Sequence, residues 1–276
     1  MNISVSPVTV DSTDGYERRR DEIAALAAGP DRPPHTIAYS DAEHEVWATV
    51  NAALDPLWVR HAAREVHAAR DELALPLDRL PQLSHVTDRL QPRTGFCYRA
   101  MPGLVDKAEF FAALDTGRFL STQYVRHGGS PLYTPEPDVI HEVIGHAHCL
   151  AEPTLAQLHR LAGAAVARVE TGVARQVIAD VFWFSAEFGV VGHAGGRAKA
   201  YGAGLLSSFG ELGWFSTNAT LRPLDVPAMA AQPYDISVYQ PVLFVADSLA
   251  HVLDVVGGFF SCVTDDVAAG LRPAGR

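Results

Sequence analysis

The run His141-Glu142-Val143-Ile144-Gly145-His146 concentrates the groups most able to do chemistry in this chain. Imidazoles beside a carboxylate are donors for a divalent transition metal. The zinc-hydrolase motif HExxH sets its histidines four apart, on one face of a regular helix. Here they are five apart. At about 100° per residue, an α-helix would leave them about 140° out of line. They converge only where the helix ends, bends or takes a π-bulge, and Gly145 makes such a distortion cheap. A zinc hydrolase is therefore weakened as a reading, and two hydrogen-bonded core histidines are the bland alternative.

A metal on two imidazoles needs another donor. Glu187 lies in the apolar run VFWFSAEFGVV, where a carboxylate is costly unless paired or metal-bound. Asp180, seven residues earlier, and His148 are competing donors. Two histidines and one carboxylate form the facial set of non-haem Fe(II) enzymes, which leaves three positions open. The alternative for Glu187 is an ion pair with an arginine.

The elements that must carry these residues are mostly helices. Trp47, Val50, Leu54 and Leu57 recur at helical spacing from about Asp41, and the period resumes after Pro56 through Ala62, Val66 and Leu73. TGFCYRAM predicts a strand, and KAEFFAALDTG a helix closed by Gly117. DVIHEVIGHAHCLA, PTLAQLHRLAGAAVARVE and RQVIADVFWFSAEFGVV predict three helices, the first and last buried. GRAKAYGAGLLSSFGEL suits a short strand or turn near a site, and DSLAHVLDVVGGFFSCV a final helix. The expectation is one mainly α domain over residues 1–276 with minor short β-strands, and a mobile arm over about 1–14.

Composition narrows the classes further. The 276 residues carry 22 Lys+Arg and 32 Asp+Glu, a formal charge of −10, which argues against a nucleic-acid partner. Three cysteines cannot build a disulfide framework. No run reaches the roughly 18–20 apolar residues of a membrane span, and the N-terminus does not read as a signal peptide. A cytoplasmic protein with no membrane partner is expected.

TQYVRHGG, YTPEPDVIHEVIGHAHCLAEP, VFWFSAEFG and YGAGLLSSFGEL together resemble the pterin-dependent aromatic amino acid hydroxylases, in order and spacing, over roughly residues 94–255. The resemblance implies that family's catalytic-domain fold in a catalytic-only bacterial form, without a regulatory domain and monomeric. It implies an Fe(II) monooxygenase that uses O2, with tetrahydrobiopterin or a related tetrahydropterin as electron donor and a separate pterin-recycling system. His141, His146 and Glu187 correspond to its iron ligands. Arg126 and Asp138 correspond to the pair that anchors the amino acid, with Thr134 and Ser207 as further polar contacts and Trp183 lining the ring pocket. Gly103, Val105 and Phe110 correspond to the pterin side, and Glu142 to a residue near pterin and oxygen.

The chain departs from that pattern in places. Phe182, beside the metal and counted with Glu142 among the catalytic positions, stands where the family commonly has tyrosine. His148 replaces a usual proline, with Cys149 after it, and Leu120 replaces a histidine near the pterin. These changes bear on where the ring is oxidised. L-Phenylalanine hydroxylated at carbon 4, to L-tyrosine, is the first expectation. Carbon 3, giving L-meta-tyrosine, is its alternative. A tryptophan hydroxylase, a zinc hydrolase and a non-catalytic aromatic amino acid-binding protein stand behind them.

Overall fold

Helix α1 (Thr13–Ala24) begins inside the span expected to be a mobile arm. The structure, a computed structural model, describes residues 13–192 and 197–272, so the rest of that arm lies outside the described residues. Arg19 on α1 is buried against Glu43, with its Nε 3.0 Å from the carboxylate, and also donates to the Ala38 carbonyl. A buried guanidinium needs such a partner, and this one pins α1 to the next helix.

That next helix, α2 (Asp41–His61), opens on a capping box in which Ser40 accepts from the Glu43 backbone and Glu43 reaches back to Ser40. It runs through Pro56 without ending. Helices α3 (Arg64–Leu73) and α4 (Leu83–Thr94) follow, and Gly95 ends α4 in the left-handed region, φ 76°. Strand β1 (Cys97–Ala100), α5 (Lys107–Asp115) and β2 (Arg118–Ser121) then form a small parallel βαβ unit, with Cys97 opposite Arg118 and Ala100 opposite Ser121.

The central helix is not regular. His141–Ala147 is π-helical and continues as α6 (His148–Ala151). Helix α7 (Pro153–Arg168) starts on a proline, and the Glu152 carboxylate caps the Leu155 N–H at 2.8 Å. Helix α8 (Gly172–Phe182) passes directly into a second π-helical turn, Trp183–Glu187. The helix predicted through Val191 therefore ends at Glu187, and Val190–Val191 form strand β3.

The stretch expected as strand or turn is mostly helical. Only Lys199–Ala200 form a strand, β4, before α9 (Ala203–Ser207) and α10 (Phe209–Asn218). Strand β5 (Thr220–Pro223), α11 (Val226–Ala231) and β6 (Val242–Ala246) complete a four-stranded sheet of order β4-β3-β6-β5. The chain closes with α12 (Leu249–Val252), a third π-helical turn (Leu253–Gly257), α13 (Gly258–Cys262) and α14 (Asp265–Leu271). The mainly helical fold with minor strands agrees with the sequence expectation.

One large apolar core runs from α2 through the π-helical segments to the small sheet. Its largest members include Trp47, Trp58, Phe184, Phe215 and Phe244, each contributing on the order of 2–3 kcal/mol by leaving water. Trp58 also donates from its indole to the Leu206 carbonyl at 2.9 Å, which fixes α9 against α2. Among the described residues no helix is long and apolar enough to cross a membrane.

Candidate metal and substrate site

The five-residue histidine spacing finds its explanation in the π-helix. An i→i+5 ladder brings residues five apart onto one face. The His141 and His146 rings lie 4.9 Å apart, centre to centre, at 89°. Gly145 permits the packing behind them. A Cβ there would stand 2.6 Å from the Ala203 carbonyl oxygen, so only glycine lets α9 approach so closely. Gly202 plays the same part toward Glu187, whose carbonyl oxygen would be 2.3 Å from a Cβ.

That approach delivers Ser207 to His141. The Ser207 hydroxyl lies 2.9 Å from the Ala203 carbonyl, which can only accept, and 2.8 Å from His141 Nδ1. Ser207 has one proton and donates it to Ala203, so it accepts from His141 Nδ1–H. His141 Nε2 is then the nitrogen with the free lone pair. Burial holds the His141 imidazole down to about 4, with His146 adding to the effect, so the ring is neutral and able to ligate near pH 7.

Two carboxylates compete for the same place. Ligand atoms of His141, Glu142 and His146 all lie within 4.8 Å of one another. The Glu187 carboxylate lies 3.2 Å from His146 Nε2. Their charge states separate them. Burial, then Glu187 and Asp138 nearby, push the Glu142 carboxyl well above its ordinary value, against a backbone N–H bond from Thr122. Burial also opposes ionisation of Glu187, but His146 and then His141 override it and bring that carboxyl down to about 2. The neighbouring histidines favour the ionised form of Glu187, which suits a cation, whereas the surroundings of Glu142 favour its protonated form. Two imidazoles and one carboxylate, converging in a buried site, fit a first-row divalent metal.

The competing donors point elsewhere. Asp180 accepts from Gln176 at 2.7 Å and pairs closely with Arg272. These residues rim a cavity of about 330 Å³ with Tyr234. His148 donates from Nδ1 to the Ile144 carbonyl at 2.8 Å and packs edge-on against Trp58. Glu187 has a histidine, not an arginine, as its ion-pair partner.

Arg126 and Asp138 form a buried pair. Asp138 accepts from Arg126 Nη2 at 2.7 Å, from Nε at 3.0 Å and from the Arg126 backbone at 2.8 Å. It also accepts from the His141 backbone at 3.1 Å, joining anchor to metal helix. One edge of the guanidinium is thus spent on Asp138. The Nη1 edge, with a 3.4 Å contact to the Pro131 carbonyl, remains for a second carboxylate. Thr134 donates to the Glu136 carbonyl at 2.7 Å, so its lone pairs stay available as acceptors. Trp183 stacks on Tyr234 at 4.5 Å and 13°, and its indole donates to Gln240 at 3.4 Å.

An aromatic path connects this site to the other expected one. Phe119 lies 4.5 Å from the His146 ring and 5.9 Å from Phe110, which in turn meets Phe182 edge-on at 6.0 Å. Val105 and Phe110 pack together against Met101, Ala113 and Leu120, with Gly103 in the same β1–α5 loop. Sequence reasoning missed Phe119, Tyr98, whose hydroxyl donates to the Glu142 carbonyl at 2.7 Å, and His159, 5.3 Å from Phe182. Phe119 stands one residue before Leu120, and only the β1–β2 register reveals its direction.

Such a site, metal donors beside a half-used arginine fork and an aromatic wall, defines a metal-dependent enzyme of small carboxylate-bearing aromatic substrates. The chain matches the family described as biopterin-dependent aromatic amino acid hydroxylase over residues 7–269, and it belongs to that family. It is 47% identical over 258 residues to phenylalanine 3-hydroxylase of Streptomyces coeruleorubidus, covering 93% of this chain and 92% of that one. Tyrosine 3-monooxygenase of Drosophila melanogaster is 41% identical over 87% of this chain, which spans 42% of that relative's length. Among solved structures, phenylalanine hydroxylase of Chromobacterium violaceum with bound iron(III) and 7,8-dihydrobiopterin superposes with a TM-score of 0.80 at 26% identity, over 93% of this chain and 92% of that one. The protein is thus a biopterin-dependent monooxygenase, and the zinc-hydrolase and non-catalytic readings fall.

Proposed function

We propose that the protein hydroxylates L-phenylalanine at ring carbon 3, giving L-meta-tyrosine, with Fe(II) on His141, His146 and Glu187. The observation that carries the metal assignment is the convergence of two imidazoles and one carboxylate around the π-helix. Bound iron and tetrahydropterin supply the O2 activation that an aromatic ring cannot undertake alone.

The chain's own residues do the positioning. Arg126, held by Asp138, receives the substrate carboxylate on its Nη1 edge, and Thr134 offers a lone pair to the substrate ammonium. Trp183 bounds the ring. Glu142, whose surroundings favour the protonated form, stands beside the oxygen and pterin positions, and Gly103, Val105 and Phe110 receive the pterin. Ser207 acts through His141, whose tautomer it sets, at the edge of the substrate pocket.

The sequence reading held carbon 4 first. Phe182, without the hydroxyl common in the family, and a relative named for carbon 3 that matches nearly end to end, put carbon 3 ahead. One ring position is about one aromatic bond length, within the reach of a pocket change. Relatives named phenylalanine-4-hydroxylase, at 35% identity, keep carbon 4 as the second reading. The reading carries with it one catalytic unit, a monomer in the cytoplasm, O2 as co-substrate and a separate pterin-recycling system. The test is an assay of anaerobically iron-loaded protein with tetrahydropterin, O2 and L-phenylalanine, L-tyrosine or L-tryptophan, with products separated. L-meta-tyrosine is the expected product. L-Tyrosine overturns the regiochemistry, and a tryptophan product without a phenylalanine one overturns the substrate.

A further inference from the structure

The two histidines of the metal site are held differently. His141 has a donor–acceptor partner on each side: Ser207 at Nδ1, the metal position at Nε2. His146 has Glu187 at Nε2, but its Nδ1 is buried with no hydrogen-bond partner. Ligating histidines almost always give their outer N–H to an acceptor, which fixes ring and tautomer. With a metal on Nε2, Nδ1 would carry the ring's proton, and a buried N–H without an acceptor is destabilising.

A second buried nitrogen lacks a partner next door. His159, on α7, is 1% exposed. Its Nδ1 lies 2.7 Å from the Leu155 carbonyl, which can only accept, so Nδ1 carries the proton. Its Nε2 is then a lone-pair acceptor, and it too is buried and unpartnered. The His146 and His159 rings are 6.1 Å apart at 87°. Of the three rings recorded against His146, those of Phe119, His141 and His159, only His159 offers an unused acceptor.

We propose that His159 is a positioning residue for the metal: its Nε2 accepts the Nδ1–H of His146, completing a chain from the Leu155 carbonyl through two imidazoles to the metal position. This rests on His146 being a ligand, as proposed above. A direct N–H···N bond between imidazoles sets ring centres roughly 5.3 Å apart, from a ring-nitrogen bond of about 3 Å. The remaining gap of under about 1 Å is within reach of the broad, soft χ2 torsions of both rings. A metal held at His146 Nε2 would take that nitrogen's lone pair and leave Nδ1 as the ring's one N–H, the donor this pairing needs.

The test compares wild type, His146→Ala, His159→Leu and His159→Gln, reading Fe(II) affinity by chelator competition and the visible spectrum of the cobalt(II)-loaded protein. Gln keeps an acceptor where Nε2 stands, and Leu does not. The expected result is a 10–100-fold weaker Fe(II) affinity and a shifted cobalt spectrum in His159→Leu, both largely restored in His159→Gln. Undiminished Fe(II) binding by His146→Ala overturns the ligand assignment itself. With that assignment intact, wild-type affinity and spectrum in His159→Leu overturn the role of His159 alone. A measurement on the unmutated protein guards against variants that fail to fold. In the 15N-labelled, zinc-loaded protein, a through-hydrogen-bond coupling should join His146 Nδ1 to His159 Nε2. Its absence, with both ring nitrogens observed, overturns the proposal.

Discussion

Replacing Asp138 by asparagine should damage stability, substrate binding and metal binding together, because four donors converge on its carboxylate. Arg126 Nη2 at 2.7 Å and the His141 backbone at 3.1 Å share one oxygen; Arg126 Nε at 3.0 Å and the Arg126 backbone at 2.8 Å share the other. Asparagine offers one acceptor oxygen. Its NH2 would confront the two donors on the other side, and the buried guanidinium would lose its counter-charge. Breaking one partner of a buried ion pair costs about 3–5 kcal/mol. Loss of two hydrogen bonds, one of them charged, gives a sum of the same size. For a chain somewhat above 250 residues, that lowers the melting temperature by roughly 6–15 °C. Calorimetry on the metal-free protein reads this. KM for phenylalanine should rise more than tenfold as Arg126 loses its orientation, and Fe(II) affinity should fall as the first turn of the π-helix loosens. A melting temperature within 2 °C of wild type with an unchanged KM would refute the reasoning.

Glu187→Ala should weaken Fe(II) binding more than 100-fold by removing the only anionic donor, and chelator competition measures it; wild-type retention excludes Glu187 as a ligand. Gly145→Ala should cost roughly 1–2 kcal/mol in urea unfolding, since overpacking against the Ala203 carbonyl exceeds the helix propensity gained. It should also lower Fe(II) affinity by shifting Ser207 away from His141. Glu211 is buried, accepts from the Gln240 backbone at 2.6 Å, and is pushed up to about 7 by burial. Its folded value lies above its ordinary one, so the stability it contributes is present below pH 4.5 and is lost as pH rises through about 7. Glu211→Gln should therefore gain on wild type between pH 5 and 8, by on the order of 3 kcal/mol, with chemical denaturation at each pH as the measurement. A pH-independent difference refutes it.

How far the sequence could be read depended on whether a signal was local. The five-residue spacing of His141 and His146 was incompatible with a straight α-helix, and the distortion it demanded is the π-helix. Hydrophobic period identified α2 and α3, and apolar composition marked α8 as a buried helix. Strands β3 and β4, two residues each, are too short to show any period, and their pairing is decided by chain segments far apart. The glycine-rich stretch before Ser207 looked like strand or turn, but its glycines serve close packing of α9 against Glu187 rather than unusual φ. Helix α1 shows no clean apolar face: Ile23 packs with Ile37 and Tyr124, and the Arg19–Glu43 ion pair completes the hold. The proposed ligands stood out through the blocks that resemble the family. His159, alone on an ordinary amphipathic helix, carried no pattern that separates it from a core histidine.

The two π-helical segments at the site, His141–Ala147 and Trp183–Glu187, explain why it needs both the irregular helices and the small residues around them. A π-turn widens the helix and lowers its backbone packing, a local cost that α-helical propensity alone does not support. Here the first π-helix is held by Tyr98 donating to the Glu142 carbonyl, by Asp138 receiving the His141 N–H, and by α9 pressed onto Gly145. The second ends at Glu187, with Gly202 packed on its carbonyl and the Phe188 N–H bonded back to Trp183 at 2.9 Å. Asp138 is the brace that the substrate reading also requires. Substrate anchor and metal ligand are therefore mechanically one unit: Asp138 grips Arg126 with the same carboxylate that starts the helix bearing His141. A substrate carboxylate that drew the guanidinium away from Asp138 would bear on the His141 N–H through that one residue, so Fe(II) affinity should differ with and without phenylalanine, and equal affinities would overturn the link.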